Sequence, residues 1–287
     1  MADIPRLNGI IKQLEEGKTA VTTFAQPEPN VAVGLATSGY DGVIFEMEHN
    51  PFETKGLRDT LQYMLNRGQI VDGGSLAPRV TPIVRIPPNG SEKNQFLAKQ
   101  VLDVGVYGVV WPHVSTAEEA YNAVSASRYP RPTDREYLEP RGQRGDAPVT
   151  AARYWGISQQ DYYKKADVWP LNPEGEILVI VMCEEVKGIG NLDEMLKQVP
   201  GIGVVLIGEG DLSQDLGHPR DYDNPIVVDA MAEIRRICAD NNVICGHPHA
   251  GMDNIDMLVD HGYQFMVAAQ TTTSPTLNKA KELTGRS

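Results

Sequence analysis

The chain has 287 residues, of which 41% are hydrophobic and 22% are charged, and its formal net charge at pH 7 is −12. This length suits one large domain or two small ones, and the composition is typical of a globular protein. The negative charge disfavours a nucleic-acid partner, because binding to a phosphate backbone usually needs a basic face. An anionic small molecule would need a local positive group, either an arginine or a bound cation.

The cysteine content and the N-terminus predict a location in a reducing compartment. Three cysteines, an odd number, make no disulfide framework. The first 18 residues lack the apolar core of a secretion signal, and no run approaches the ~18 apolar residues of a membrane span. We therefore expect a soluble cytoplasmic protein with no membrane partner.

Eight short apolar runs predict β-strands along the chain. The runs are nearly continuous rather than alternating, which is typical of parallel strands buried on both faces. They are Ala20–Phe24, Gly42–Glu48, Thr81–Ile86, Val106–Trp111, Ile177–Glu184, Val204–Gly210, Val243–His247 and Phe265–Gln270.

Stretches with helical periodicity lie between these strands. They are Leu7–Glu16, Leu57–Asn66, Asn94–Val104, Ala117–Ala126, Asn191–Gln198, Val227–Asp240 and Met252–His261. Repeated strand–helix units predict a single-domain α/β protein with a closed parallel barrel, which needs about 250 residues. An open doubly wound sheet is the alternative. No Gly-x-Gly-x-x-Gly motif follows the first strand to support it, and Gly208-Glu209-Gly210 comes only after the sixth.

One long segment, Arg128–Asp167, interrupts this alternation between the fourth and fifth strands. It is rich in proline and charge, and we expect a loop insertion around residues 130–167. Loops of that length are usually functional or disordered. The segment is either a solvated excursion or a lid over the barrel mouth that selects the distal end of a substrate. The shorter irregular stretch before Arg85 is interpreted as a structural loop.

Polar residues at the strand ends mark the candidate site, because a barrel keeps its active site at the carboxyl ends of its strands. Glu46 and Glu48 share a face at the end of the second run, and His49 begins the loop above. A histidine near a carboxylate can act as a general base near neutral pH. The alternative is a surface histidine without a catalytic role.

Arg85 lies inside the third strand, where an unpaired guanidinium is costly. A two-point contact with a substrate carboxylate would supply its partner. A structural ion pair with Glu46 or Glu48 is the alternative, and both can hold.

Glu184 and Asp211 follow the fifth and sixth strands. Two carboxylates without a neighbouring Cys or His cluster suit a hard divalent cation such as Mg²⁺, whose shell a chelating pyruvate would complete. Such an ion stabilises an enolate oxygen. Asp211 also opens a predicted helix, so it is alternatively an N-cap, and the amides of Gly210 and Asp211 would be available for a substrate carboxylate.

Two further observations narrow the chemistry. His247 and His249 at the seventh strand suggest zinc only weakly, because no third Cys or His stands at matching spacing. A contact with substrate or with another subunit is favoured instead. No lysine lies within the predicted strands, and Lys187 falls beyond Glu184, which disfavours imine-forming aldolase chemistry.

Taken together, the chain resembles the HpcH/HpaI aldolase family of metal-dependent class II pyruvate aldolases. The resemblance covers almost the whole chain. Its motifs are Leu7-Asn8-Gly9 with Gly17, Glu48-His49, Pro82-Ile83-Val84-Arg85, Asp103 with Val110-Trp111-Pro112, Arg128-Tyr129-Pro130, Gln143-Arg144-Gly145, Glu184 with Asn191-Leu192-Asp193-Glu194, and Ile207-Gly208 with Asp211-Leu212-Ser213 and Leu216-Gly217.

The resemblance implies a (β/α)₈ TIM barrel that uses Mg²⁺, Mn²⁺ or Co²⁺ and reversibly cleaves 4-hydroxy-2-oxo acids to pyruvate and an aldehyde. By position, His49 would be the base, Glu46 its orienting partner, and Arg85 the substrate-binding group. Glu184 and Asp211 would bind the metal, with Glu185 as an alternative ligand one residue away. A homo-oligomer, a hexamer, is also implied, and the polar C-terminal segment is a candidate helix for contacting a neighbour.

Several residues depart from the family pattern. Glu46 replaces an aspartate, Met182 a common glutamine and Glu209 a common proline, and residues 130–141 form a longer segment than usual. These changes surround the substrate rather than the metal. The alternative functions are a CoA-ester lyase, an enzyme that takes oxaloacetate for condensation or decarboxylation, and a non-catalytic binding barrel. The last is disfavoured, because buried polar strand ends without a ligand would destabilise the fold.

Overall fold

A closed barrel of parallel strands forms the centre of the molecule, as seen in a computed structural model that describes residues 4–88, 90–132, 136–271 and 274–286. Every strand pairs in parallel with its neighbours, and β9 pairs with β1 to close the barrel. The strands are β1 (Ala20–Ala25), β2 (Gly42–Glu46), β3 (Thr81–Arg85), β4 (Gly108–Trp111), β5 (Val168–Trp169), β6 (Ile177–Cys183), β7 (Val204–Ile207), β8 (Ile244–Ala250) and β9 (Phe265–Ala268).

The eight predicted strands are confirmed. They close the barrel without β5, because β4 pairs directly with β6. The short β5 was not predicted and adds to the first residues of β6. All seven residues of β6 are buried, since helices cover the outside of the barrel and side chains fill its interior. Burial of each large apolar side chain contributes roughly 1.5–3 kcal/mol.

Helices of the described residues surround the barrel. They are α1 (Gly9–Glu15), α2 (Pro29–Leu35), α3 (Thr54–Tyr63), α4 (Arg67–Gly73), α5 (Phe96–Val104), α6 (Ala117–Ala126), α7 (Val149–Trp155), α8 (Gln159–Lys165), α9 (Val186–Gln198), α10 (Glu209–Asp215), α11 (Pro225–Asp240), α12 (Ile255–Asp260) and α13 (Pro275–Leu283). Within the described part of the chain, every helix is too short or too polar to span a bilayer.

The predicted helices are present, and α6 has the predicted bounds. The two short helices α2 and α4 were not predicted, and only the end of α4 overlaps the stretch 71–82 that was interpreted as a structural loop. Helix α4 buries none of its residues, so it carries no apolar periodicity for a sequence pattern to reveal. Adjacent residues cap both ends of α4. The Asn66 side chain accepts a hydrogen bond from the Gln69 amide, and Gly74 ends the helix at φ 58°.

The segment 128–167 differs from the predicted loop, because it contains α7 and α8. The Arg128 guanidinium forms a buried two-point ion pair with Asp167, with Nε–Oδ1 and Nη2–Oδ2 distances of 2.7 and 3.0 Å. Trp155 at the end of α7 stacks on Tyr107 at 4.4 Å and donates a hydrogen bond to the carbonyl of Gly105.

These contacts place the described part of the segment at the amino ends of β4 and β6. Gly105 and Tyr107 immediately precede β4, and the carbonyl of Asp167 accepts the amide of Ile177 at the start of β6. The interpretation as a lid over the barrel mouth is therefore wrong. Buried aromatic contacts, such as that of Trp155 with Tyr107, hold the segment against the amino-terminal end of the barrel.

The C-terminal helix α13 packs on its own barrel rather than extending away from it. Leu277 and Ala280 are buried, and Arg286 forms an ion pair with Asp41 at the start of β2. The candidate helix for contacting a neighbour therefore packs its apolar side chains within the chain.

Candidate active site

The predicted site residues gather on one rim of the barrel, at the carboxyl ends of the strands. Glu46 and Arg85 are the last residues of β2 and β3 and are direct register partners. Glu184 follows β6, and Asp211 lies in the first turn of α10. The alternative interpretation of Asp211 as the N-cap of this helix is wrong, because Gly208 is the N-cap residue and Asp211 is the third helical residue.

Arg85 is held between two carboxylates at this rim. Its Nε lies 2.7 Å from Glu46 Oε2, which also accepts from Nη2, and its Nη1 lies 2.9 Å from Glu48 Oε2. The guanidinium sits over the ring of Phe24, 4.6 Å from the centroid. The structural ion pairs predicted for Arg85 are therefore present. They fix the orientation of the guanidinium with a part of it still open to the rim.

His49 lies beside Glu48 rather than beside its predicted partner Glu46. The Nε2 atom of His49 is 3.6 Å from Glu48 Oε2, and 67% of the histidine side chain is exposed. Glu46 instead accepts hydrogen bonds from the backbone amides of Glu48 and His49, at 2.8 and 3.2 Å. Glu46 thus orders the turn that carries the histidine, and Glu48 is the carboxylate closest to its ring.

Glu184 is a buried carboxylate with unusual electrostatics. It is 2% exposed, and its Oε1 accepts the backbone amide of His113 at 2.6 Å. The pKa of Glu184 is raised to about 7, chiefly by burial, with the negative charges of Glu48 and Asp211 also raising it and His113 opposing the rise. Burial likewise raises the pKa of Glu48. Three carboxylates therefore repel one another here, a repulsion that a bound cation would relieve.

Glu185 contacts His113 and Ser115 instead of facing the other carboxylates, which favours Glu184 as the metal ligand. Its carboxylate lies 3.0 Å from His113 Nδ1 and accepts the hydroxyl of Ser115 at 2.6 Å. The hydrogen bond from Ser115 is the main cause of the lowered pKa of Glu185. The side chain thus buttresses the loop after β4.

The donor set fits a hard divalent cation completed by substrate and water. Among the described residues, no group of three or more His, Cys, Asp or Glu side chains has metal-binding geometry, so protein ligands alone would not fill the shell. Glu48 Oε2 is buried without a well-directed hydrogen bond to a described residue. Carboxylate oxygens with open positions are what Mg²⁺ and Mn²⁺ require.

Gly208 provides the space for the Glu184 carboxylate. A Cβ atom at position 208 would lie 2.2 Å from Glu184 Oε2. We expect Gly208→Ala to displace that oxygen and weaken Mn²⁺ binding about 10- to 100-fold, the usual cost of disturbing a ligand's support. Isothermal titration calorimetry with Mn²⁺ measures the effect.

Gly190→Ala is the matched control for this substitution, because a Cβ at position 190 meets nothing within 4 Å. It should bind Mn²⁺ like the unmodified protein. Equal affinities in both variants would contradict the assignment of Glu184.

Two residues near the carboxylates were missed by the sequence analysis. His113 follows Trp111-Pro112 at the end of β4, with φ 54°, and lies 3.8 Å from Glu184 Oε1 through its Nδ1. Glu48 was named as a partner for Arg85 and in the Glu48-His49 motif, but it was not expected to join the carboxylate cluster. Both obey the rule of a polar residue just beyond an apolar strand, so the same signal would have found them.

The start of α10 presents backbone donors at the same rim. The first intrahelical hydrogen bond joins the Leu212 amide to the Gly208 carbonyl, which leaves the amides of Gly210 and Asp211 outside the helical pattern. Their predicted availability for a substrate carboxylate is consistent with this geometry.

A cavity of about 950 Å³ lies beside the carboxylate cluster rather than over it. Phe24, which supports Arg85, and Glu209, two residues before Asp211, belong to its wall. His247 and His249 line it from β8. Glu209 contacts His249 Nδ1, and its other oxygen lies 3.9 Å from His247 Nε2.

Fold and rim define the class of this protein: a parallel α/β barrel with a carboxylate and arginine site at the carboxyl ends of its strands. The chain belongs to the HpcH/HpaI aldolase/citrate lyase family, whose model matches residues 24–275.

Named relatives support this membership. The 2-keto-3-deoxy-L-rhamnonate aldolase of Klebsiella pneumoniae is 35% identical over 206 residues, which are 71% of this chain and 65% of the relative. The enzyme of the same name from Salmonella paratyphi B is 36% identical over 216 residues, 75% of this chain and 68% of the relative. The match to the first of these thus spans about two thirds of that relative's length.

Solved structures share the fold. A family protein from Burkholderia cenocepacia has a TM-score of 0.73 with 23% identity, covering 96% of this chain and 97% of that one. Macrophomate synthase has a TM-score of 0.66 with 23% identity, covering 96% of this chain and 88% of that one. At this level of identity, the likeness concerns the fold alone.

Proposed function

We propose that this protein is a divalent-metal-dependent aldolase that reversibly cleaves 4-hydroxy-2-oxo acids to pyruvate and an aldehyde. The observation that carries the proposal is the convergence of Arg85 and His49 with the carboxylates Glu184 and Asp211 on one rim. The aldolase names of the relatives support it, and the deoxy sugar acid that these names contain belongs to the same substrate class.

Substrate binding follows from the charges at the rim. The positive charge of Arg85 is already balanced by Glu46 and Glu48, and Glu184 and Asp211 add further negative charge. An anionic 2-oxo acid would be repelled by this rim unless a divalent cation held by Glu184 and Asp211 supplied positive charge. Arg85 and the amides of Gly210 and Asp211 would then fix the orientation of the acid.

His49 acts as the general base of the cleavage. It removes the proton of the C4 hydroxyl, the C3–C4 bond breaks, and its electron pair becomes the enolate of pyruvate as the aldehyde leaves. Arg85 stabilises the negative charge that develops, and a proton returned to C3 completes pyruvate. The metal, Mg²⁺, Mn²⁺ or Co²⁺, would supply Lewis-acid stabilisation of the enolate oxygen.

Removal of the metal should abolish the activity. Two carboxylates are too few ligands to retain the ion against a chelator, so EDTA should stop pyruvate release and added Mg²⁺ or Mn²⁺ should restore it. The assay is pyruvate release from a panel of 4-hydroxy-2-oxo acids. Full turnover after exhaustive chelation would refute the metal-dependent mechanism.

The same panel separates the alternatives. The family also includes citrate lyase. The substrate panel should therefore contain oxaloacetate, as the source of the enolate, and CoA esters. A CoA-ester lyase would need a basic surface for the nucleotide, for which the net charge of −12 offers no support.

We further propose a homo-oligomer, a hexamer, acting in the cytoplasm on small molecules and without a nucleic-acid partner. The hexamer rests on the family resemblance. Static light scattering at micromolar concentration tests it, and a monomer would refute it.

A further inference from the structure

The turn after β4 carries a histidine in a backbone conformation that few residue types adopt. His113 has φ 54°, in the left-handed region that favours glycine. In this conformation its backbone amide points at the Glu184 carboxylate, whose Oε1 accepts the hydrogen bond at 2.6 Å. The second oxygen of that carboxylate, Oε2, lies beside Gly208. With Oε1 bonded to the turn, Oε2 is the oxygen left available to a metal ion.

The imidazole ring of His113 joins the same turn to the start of α9. Its Nδ1 atom lies 3.0 Å from Glu185 Oε1, and because a carboxylate only accepts hydrogen bonds, Nδ1 carries the proton and donates it. The other oxygen of Glu185 accepts the Ser115 hydroxyl at 2.6 Å. The Glu185 carboxylate therefore holds the turn at two points, one on each side of Val114.

Glu185 makes these contacts instead of capping its own helix. It is the N-cap residue of α9, but its side chain forms no capping hydrogen bond, although such a bond commonly stabilises a helix. The side chains of His113 and Glu185 are 33% and 35% exposed, so burial alone does not impose their contact. The contact leaves a helix start without a side-chain cap, which indicates a role outside α9.

The far end of the turn is held independently of this pair. The Asn191 side chain donates to the Ser115 carbonyl at 2.8 Å, and the Glu119 carboxylate accepts the Ser115 amide at 2.7 Å. Because Ser115 is fixed by α6 and α9, the remaining freedom of the turn lies before it. The ring contact of His113 acts on that part of the turn, which includes the amide that faces Glu184.

We infer that His113 and Glu185 are positioning residues for the metal ligand Glu184, with the ring contact holding the His113 amide against Glu184 Oε1. This inference rests on the metal-dependent function proposed above. It adds two residues that act through Glu184 and touch neither the metal nor the substrate. Loss of such support typically lowers metal affinity about 10- to 100-fold.

The test is calorimetric titration with Mn²⁺ of variants at position 113. Glycine adopts φ 54° without strain, so His113→Gly keeps the backbone turn and removes only the ring. It should weaken Mn²⁺ binding about 10-fold or more. In His113→Asn, the side-chain nitrogen can take the place of Nδ1, and asparagine tolerates the left-handed region. This conservative variant should recover most of the affinity.

The EPR spectrum of bound Mn²⁺ gives a second measurement, because it responds to the geometry of the ligands. At saturating Mn²⁺, the spectrum should change in His113→Gly and return in His113→Asn. Asn242→Gly is the matched control. Asn242 also has φ 54°, but it lies in the turn before β8, at the amino end of the barrel. Neither its affinity for Mn²⁺ nor its spectrum should change.

A double-mutant cycle with Glu185→Ala separates the ring contact from the general effect of the glutamate charge. The variant that carries both His113→Gly and Glu185→Ala should bind Mn²⁺ no more weakly than Glu185→Ala alone, because both substitutions remove one contact.

Absence of Mn²⁺ binding to the unmodified protein would refute the proposed function itself. Weakened binding by His113→Gly, recovery by His113→Asn and a non-additive cycle support the inference. Full affinity in His113→Gly, no recovery by asparagine or additive losses in the cycle would overturn it. His113→Gly and His113→Asn are decisive if Glu185→Ala does not fold, because both replacement residues suit the backbone of the turn.

Discussion

Replacement of Arg85 by lysine is expected to lower kcat/KM for aldol cleavage by about 10²- to 10³-fold, the typical cost of losing one stabilising donor in an active site. Arginine contacts Glu46 through Nε and Glu48 through Nη1 at the same time. A lysine ammonium is a single point of charge and cannot reproduce this planar contact. Both kcat and KM should worsen, because the guanidinium acts on bound substrate and on the charge that develops during cleavage.

Arg58→Lys provides the control for this prediction. Arg58 lies on α3, and its guanidinium pairs with Asp59 at an exposed position. Steady-state kinetics on a 4-hydroxy-2-oxo acid should leave this variant unchanged. If Arg85→Lys also retained the full kcat/KM, Arg85 would have only a structural role.

Replacement of His49 by alanine is expected to lower kcat by about 10²- to 10⁴-fold, the usual contribution of a general base. The histidine is largely exposed, and Glu48 is the charged side chain beside its ring among the residues that the structure describes. Loss of the histidine should therefore leave the fold and the metal site intact. Binding of pyruvate, measured by titration in the presence of Mn²⁺, should weaken much less than kcat falls.

The matched variant for this prediction is His261→Ala, an exposed histidine at the end of α12. Its kcat should equal that of the unmodified enzyme. Cleavage at the full rate by His49→Ala would show that another group removes the proton. His113 would then be the first residue to examine, because it lies beside Glu184 on the same rim.

Much of the barrel could be predicted from local patterns. The apolar runs became barrel strands because a parallel strand covered on both faces must be apolar along its whole length, as in β6. The site could be located for the same reason, since a polar residue such as Glu184 that follows such a run must lie at a strand end.

The segment 128–167 shows where such reasoning fails. Its prolines and charges indicated an exposed loop, yet Arg128 is fully buried and forms an ion pair with Asp167, 39 residues away. The partner of a buried charge is set by the path of the chain, not by neighbouring residues. The helices α7 and α8 were hidden in the sequence because most of their order depends on aromatic contacts such as that of Trp155 with Tyr107.

The sequence by itself determined the barrel, the order of its strands and the set of polar residues at its rim, because apolar periodicity is a property of consecutive residues. Only the tertiary structure decided which of these residues touch. It placed Glu48 rather than Glu46 beside the His49 ring, and it joined Glu209 to His249 across 40 positions. Strand register and the curvature of the closed sheet set these side-chain distances, and neither is encoded in a local pattern.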